Sequence, residues 1–229
     1  MSVSDKVLQL KQDFDDVYET GKAIGYRTEW DMLTDYGTRT QCAYMFYDAL
    51  MVDSTGKILF TPQYNIRLKS AGSMFESAKG EIDLQAQFEK AGKVLDFSNG
   101  TTVNRCFYLS DITRVGVVDL SQATNISAMF GYSKIRKIEQ ITFAKTQNYN
   151  VASMFLGCNE LTDVTAYGAL ATSGLDLSAC PLTHDSIMSF IDILEPTSTT
   201  KAITFGTTNL TKLSDAEKAI ATQKGWTLA

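Results

Sequence analysis

The spacing of apolar residues changes twice along this chain. Between positions 3 and 24, Val3, Val7, Leu10, Phe14, Val17, Gly21 and Ile24 fall alternately four and three apart. That is a heptad seam, with Val7, Phe14 and Gly21 at a and Val3, Leu10, Val17 and Ile24 at d. The spacing predicts an amphipathic helix over residues 1–25, capped by Ser2 or Ser4. A seam this narrow favours self-association, so Val3, Val7, Leu10, Phe14, Val17 and Ile24 are the candidate oligomerisation residues of a coiled-coil stem. The alternative is that the helix docks on the first repeat of its own chain.

Farther along, a dipeptide ending in phenylalanine recurs. Met45-Phe46, Met74-Phe75, Cys106-Phe107, Met129-Phe130 and Met154-Phe155 stand at intervals of 29, 32, 23 and 25 residues. With the third copy laid over the fourth at an offset of 23, Phe107 meets Phe130, Ile112 meets Ile135 and Val115 meets Ile138. Val118 likewise meets Ile141, and Leu120 meets Phe143. One inserted residue brings Phe155, Leu161 and Val164 onto the same places. A second motif precedes Phe107 and Phe130, as Asp96-Phe97-Ser98 and Asp119-Leu120-Ser121, and Asp176-Leu177-Ser178 looks like one more copy of it. Each unit reads as a short strand, a polar turn, a short helical stretch ending in Met-Phe, and a loop into the next apolar pair.

Strands this short bury little alone and gain a continuous core by stacking at ~4.8 Å. The expected fold is therefore an α/β repeat: a leucine-rich-repeat-like solenoid of short stacked strands with short helical turns. An N-terminal amphipathic helix and an α/β C-terminal cap complete it. Recurrence in every unit makes the Met-Phe pairs core rather than a ligand box. The expected divisions are residues 1–25 (helix), 26–94 (aromatic-rich N-terminal cap and irregular repeats), 95–180 (regular repeats) and 181–229 (C-terminal cap). The aromatic cluster of Tyr26, Trp30, Tyr36, Tyr44, Phe46 and Tyr47 reads as a plug between helix and repeats rather than a ligand platform.

Units such as NISAMFGYSKIRKIEQITF and NVASMFLGCNELTDVTAY resemble the BspA-like leucine-rich repeats. In that family a Met-Phe or Ala-Phe, a Cys or Ser spacer and a Leu-Thr-x-Leu/Val strand recur about every 22–26 residues. Met154-Phe155, Cys158 and Leu161-Thr162-Asp163-Val164 fit the pattern best; the copies at Cys106 and Met129 carry Ser110 and Ser133 in place of the cysteine. The copies at Met45 and Met74 depart from it, with longer intervals and no Leu-Thr. Residues 181–229 resemble the cap at the end of such arrays, with Ser214 and Glu217 as a capping box and Gly225 as the helix stop. Many of those arrays occur in tail-associated proteins of phages and prophages of gut bacteria. The resemblance implies a non-enzymatic virion protein, a tail or surface fibre-like module assembled in the host cytoplasm. It would be held as a homotrimer by the stem and would recognise a host-surface glycan or protein, or another virion component. A bacterial surface adhesin or protein-interaction domain with the same repeats is the alternative.

Composition narrows this only slightly. The chain has 229 residues, 21 basic against 26 acidic, for a net charge of −5 and no basic cluster, so nucleic acid is a poor partner. The apolar runs are too short to span a membrane, and the charged N-terminus lacks the apolar core of a Sec signal. Cys42, Cys106, Cys158 and Cys180 form no CxxC pair, and the single histidine is His184, so neither a metal nor a cofactor is expected. Thr183-His184-Asp185-Ser186 reads as a helix start, because adjacent residues on a helix splay apart and cannot form a triad. No residue is nominated as catalytic. A glycan hydrolase would require two carboxylates converging in one groove.

Overall fold

The computed structural model describes residues 39–62 and 65–229. The heptad residues Val3, Val7, Leu10, Phe14, Val17 and Ile24, and the aromatics Tyr26, Trp30 and Tyr36, lie outside the described residues. Among the described residues, ten strands and four helices follow one another: β1 (Arg39–Gln41), β2 (Ile66–Ser70), β3 (Ile82–Asp83), α1 (Leu84–Lys90), β4 (Leu95–Asp96), β5 (Ile112–Asp119), β6 (Lys137–Phe143), β7 (Asp163–Gly168), β8 (Leu175–Asp176), α2 (His184–Asp192), β9 (Lys201–Thr204), α3 (Thr207–Leu210), α4 (Asp215–Gln223) and β10 (Trp226–Leu228). Every strand pairing is parallel, in the orders β1-β2-β4, β3-β5-β6-β7 and β10-β9-β8. Positions superposed by the sequence offset lie side by side in the largest sheet. Val115 pairs with Ile138, Val118 with Ile141, and Ile138 with Val164.

Inside, the recurring phenylalanines form one column. Phe46, Phe75, Phe107, Phe130 and Phe155 stack in that order at centroid separations of 4.7, 5.4, 5.3 and 5.4 Å, with ring planes within 8° of parallel. These distances sit close to the spacing of hydrogen-bonded strands, so each ring is carried on its own coil of the chain. All five rings are buried, as are Met45, Met74, Cys106, Met129 and Met154 beside them.

The segments leading through each Met-Phe are runs of overlapping turns rather than α-helix. Their backbone enters the left-handed region every fourth residue, at Tyr44 and Asp48, Ser73 and Ser77, Arg105 and Leu109, Ala128 and Tyr132, and Ser153 and Gly157. An α-helix cannot accommodate that alternation. The amides then divide into two sets. Those of Met45, Met74, Cys106, Met129 and Met154 close local turns to the carbonyl three residues back. The amides of the column phenylalanines reach the next coil: Phe46 to the Met74 carbonyl (2.7 Å), Phe75 to Cys106 (2.7 Å), Phe107 to Met129 (2.8 Å) and Phe130 to Met154 (3.0 Å). Their neighbours two residues away do the same, as Arg105 to Ser127 and Leu109 to Gly131. The result is a wall of turns whose interturn bonds all donate toward the C-terminus.

Unequal intervals between phenylalanines come from insertions that leave this frame intact. In the 32-residue interval, α1 interrupts what is one continuous strand, β5, in the next coil. Its start is capped by Asp83, whose Oδ1 accepts from the Ala86 amide at 2.8 Å, and it buries Leu84 and Phe88. In the 29-residue interval, Val52 and Ile58 form an antiparallel bridge around a turn in which Asp53 accepts from the amides of Thr55 and Lys57. The recurring Asp-x-Ser motif makes the same Asx turn three times: Asp96, Asp119 and Asp176 accept from the amides of Ser98, Ser121 and Ser178 at 2.9, 2.8 and 2.9 Å.

At the C-terminal end, side chains replace the missing next coil. The exposed edge of β7 donates from Val164 and Ala166 to the hydroxyls of Ser186 and Ser189 on α2, each at 3.0 Å. Tyr149 donates its amide to Thr172 Oγ1, also at 3.0 Å. Ser214 and Glu217 form the capping box of α4, and Trp226 buries its indole with Nε1 donating to the Glu195 carbonyl. Phe130→Ala removes a ring with neighbours on both faces and is expected to destabilise the chain by about 3–5 kcal/mol. Thermal unfolding checks this, with Phe130→Leu expected to lose less because it leaves a smaller void.

Candidate binding surface

The outer face of the turn wall is formed by the residues flanking the column phenylalanines. Because the coils are in register, Tyr47, Glu76, Tyr108, Gly131 and Leu156 follow the phenylalanine in successive coils, and Asp48, Ser77, Leu109, Tyr132 and Gly157 come next. Two of these rings are seated on glycines. A methyl group at Gly131 would come within 3.0 Å of the Tyr108 ring, and one at Gly157 within 2.5 Å of the Tyr132 ring. Each tyrosine therefore lies across the bare backbone of the following coil, and the two rings meet edge to face at 5.9 Å. Tyr44 and Tyr47 make a second pair, also at 5.9 Å. Along this wall Tyr44, Tyr47, Leu109, Tyr132 and Leu156 are each between 44% and 50% exposed, large apolar and aromatic groups facing solvent on either side of the coil that carries Glu76 and Ser77.

One ion pair fixes the middle of the row. Glu76 is buried, and Arg105 holds it with two hydrogen bonds, Nε to Oε2 at 3.0 Å and Nη2 to Oε1. The Arg105 guanidinium also lies 4.0 Å above the Tyr108 ring. Hydrogen bonding from Arg105 holds the Glu76 carboxyl below the usual carboxylate range, against the opposing effect of burial.

The row ends at an open edge. By the register of earlier coils, the amides of Ser153, Phe155 and Gly157 would donate to a following coil, and none of the three has an acceptor among the described residues. Phe155 is fully buried, so its N–H is an orphan donor of a kind folded proteins rarely keep. A depression of about 110 Å3 lies there, lined by Ser153, Phe155, Leu156, Asp176, Ser178 and Ala179. The Oδ1 of Asp176 accepts from the Ser178 amide, and its Oδ2 has no partner among the described residues. Here the capping of the other two edges, by Ser186 and Ser189 and by Thr172, has no counterpart.

Other polar groups are engaged structurally. On the strand side, Arg114 pairs with Asp83 and Glu139, Lys134 with Glu81 and Asp111, and Arg136 with Glu81 and Glu160. His184 opens α2 behind its cap Thr183, and its Nε2 lies 2.9 Å from Glu217 on α4, with Nδ1 3.2 Å from Asp185. Those carboxylates raise its pKa. The four cysteines are buried free thiols; Cys158 donates to the Phe130 carbonyl at 3.0 Å, and burial pushes the Cys106 thiol up. No cluster of three metal-ligating side chains occurs among the described residues, and none of their helices is long and apolar enough to cross a membrane.

Sequence reasoning nominated no ligand-binding residue: it read Tyr44 and Tyr47 as part of a plug rather than a ligand platform, where the structure leaves both half-exposed, and it passed over Tyr132 and the free amides. The detectable signal was a tyrosine one or two places after the column phenylalanine followed, one coil on, by a glycine at the place beneath it. Compared with protein-family models, curated proteins and solved structures, the chain matches none of them.

Arg105→Ala strands a buried carboxylate and is expected to destabilise by about 2 kcal/mol at pH 7, discounted because the guanidinium is partly exposed. Since Glu76 has a depressed pKa, its contribution is present above its unfolded value of 4.5 and fades as pH falls. Melting curves of the wild type and the variant should therefore converge between pH 7 and pH 3, while a gap that stays constant would place the cost in lost packing.

Proposed function

We propose that this chain is a non-enzymatic recognition module, a leucine-rich-repeat-like solenoid whose turn wall contacts a partner outside the cell that makes it. The observation that carries this reading is the exposure of Tyr44, Tyr47, Leu109, Tyr132 and Leu156 on a face stiffened by stacked rings and interturn hydrogen bonds. A rigid aromatic surface presents large contact area at small entropic cost, which is how hot spots of recognition surfaces are built. The parallel strands and the phenylalanine column support the solenoid reading. The resemblance of the units to BspA-like repeats supports placement on a virion, as a tail or surface fibre-like protein that recognises the host surface. In this reading the heptad seam of residues 1–25 gathers three copies, so that weak sites act together through avidity.

Two measurements test the proposal. Light scattering should give a mass near three times 25.3 kDa for the full chain, falling to one chain for Leu10→Asp combined with Phe14→Asp. A monomeric wild type contradicts the stem. Labelled full chain should adsorb to whole cells of the bacterial host, and Tyr44→Ser with Tyr132→Ser should weaken adsorption at least tenfold at unchanged melting temperature. Equal adsorption by that variant would remove the turn wall from the binding surface.

A further inference from the structure

We propose that the open edge of the turn wall is a saccharide-binding subsite for a neutral hexose chain, with the Tyr132 ring as its apolar rim. This rests on the recognition-module reading above and names the class of ligand. The subsite offers three kinds of group. The amides of Ser153 and Gly157, in residues open to solvent, are donors left over from a ladder that stops there. Asp176 Oδ2 is an unpaired anionic acceptor, and the hydroxyls of Ser153 and Ser178 can both donate and accept. Leu156 and the Tyr132 ring, which lies across Gly157, supply an exposed apolar rim.

This combination selects among ligands. A phosphate or sulfate would be drawn to the amides but repelled by the Asp176 carboxylate, and a cation would meet the amide dipoles head-on. An extended peptide could accept from these amides, yet the C=O and N–H of one trans peptide group point opposite ways, so no single group serves both an amide and Asp176. A sugar hydroxyl donates and accepts through one oxygen, so it can receive from an amide and give to the carboxylate. The C–H face of the same pyranose carries the positive edge that the negative face of a tyrosine ring attracts.

The site is also built rather than left over. The same C-terminal segment that caps the strand edge with Ser186 and Ser189, and the Tyr149 edge with Thr172, lines the third edge with Asp176 and Ser178 while leaving its amides free.

The test is binding of the full chain to immobilised maltohexaose, cellohexaose and mannohexaose, followed by titration of whichever is retained. Expected is binding to at least one of them, with shifts of the Ser153 and Gly157 amide resonances. Tyr132→Ala and Asp176→Asn should each weaken it at least tenfold without lowering the melting temperature. Asparagine keeps the Asx turn with Ser178, so that variant isolates the charge. Tyr167→Ala, an exposed tyrosine on the strand side, should bind as wild type. The inference is overturned if no hexose oligomer binds, if Asp176→Asn and Tyr132→Ala bind normally, or if Tyr167→Ala loses as much. Adsorption to host cells without any binding to the oligomers would overturn the saccharide assignment and leave the recognition module standing. Absence of both would overturn both.

Discussion

Phe75, Phe107 and Phe130 are each held twice, the ring by the rings on either side and the amide by the carbonyl just before the next phenylalanine in the column. The two constraints operate at different repeat lengths in principle, since rings prefer their own contact distance and coils prefer the strand spacing. Here they coincide, with rings near 5 Å apart and interturn bonds of 2.7 to 3.0 Å. A left-handed residue costs roughly 1–2 kcal/mol outside glycine, and this wall places such residues at Tyr44, Leu109, Ala128 and Tyr132 among others. Only burial of the ring and closure of the interturn bonds make that conformation worth holding, so the strain, the stack and the ladder form one cooperative unit. Because the unit needs only the wall and the strand, the chain accommodates α1 and the Asp53 turn between coils without disturbing the column.

Direction follows from the same geometry. A β-ladder exposes both donors and acceptors at its edge, whereas this wall donates one way and so must end in a row of amides. The C-terminal segment satisfies the strand edge through Ser186 and Ser189, and the polar corner through Thr172, yet leaves Ser153, Phe155 and Gly157 without partners. An orphan donor in a fully buried residue such as Phe155 is costly, and its retention beside Asp176 is what distinguishes this corner from the rest of the surface.

Much of the core was legible in the sequence because its positions recur at nearly fixed intervals. The offset of 23 residues brought together Phe107 with Phe130 and Val115 with Ile138, which stack and pair in the structure. What the pattern could not convey was the backbone of the wall. Residues such as Tyr44, Leu109 and Tyr132 have no intrinsic preference for the left-handed region, so a short helix was the natural expectation. Tertiary hydrogen bonds to the next coil override that preference. The candidate site was hidden for a related reason. It consists largely of backbone amides left without acceptors where the ladder ends, and of tyrosines laid across a glycine of the next coil by register alone. His184, conspicuous as the single histidine, instead bridges α2 to Glu217 on α4.

Amide hydrogen exchange resolved by residue tests the one-way ladder most directly. The amides of Phe107 and Phe130, and of Arg105 and Leu109 beside them, are expected to exchange only on global unfolding, whereas those of Ser153 and Gly157, which occupy the places of Arg105 and Leu109 in the last coil, are expected to exchange many orders of magnitude faster. Uniform protection through Gly157, or fast exchange at Phe107 and Phe130, would contradict it.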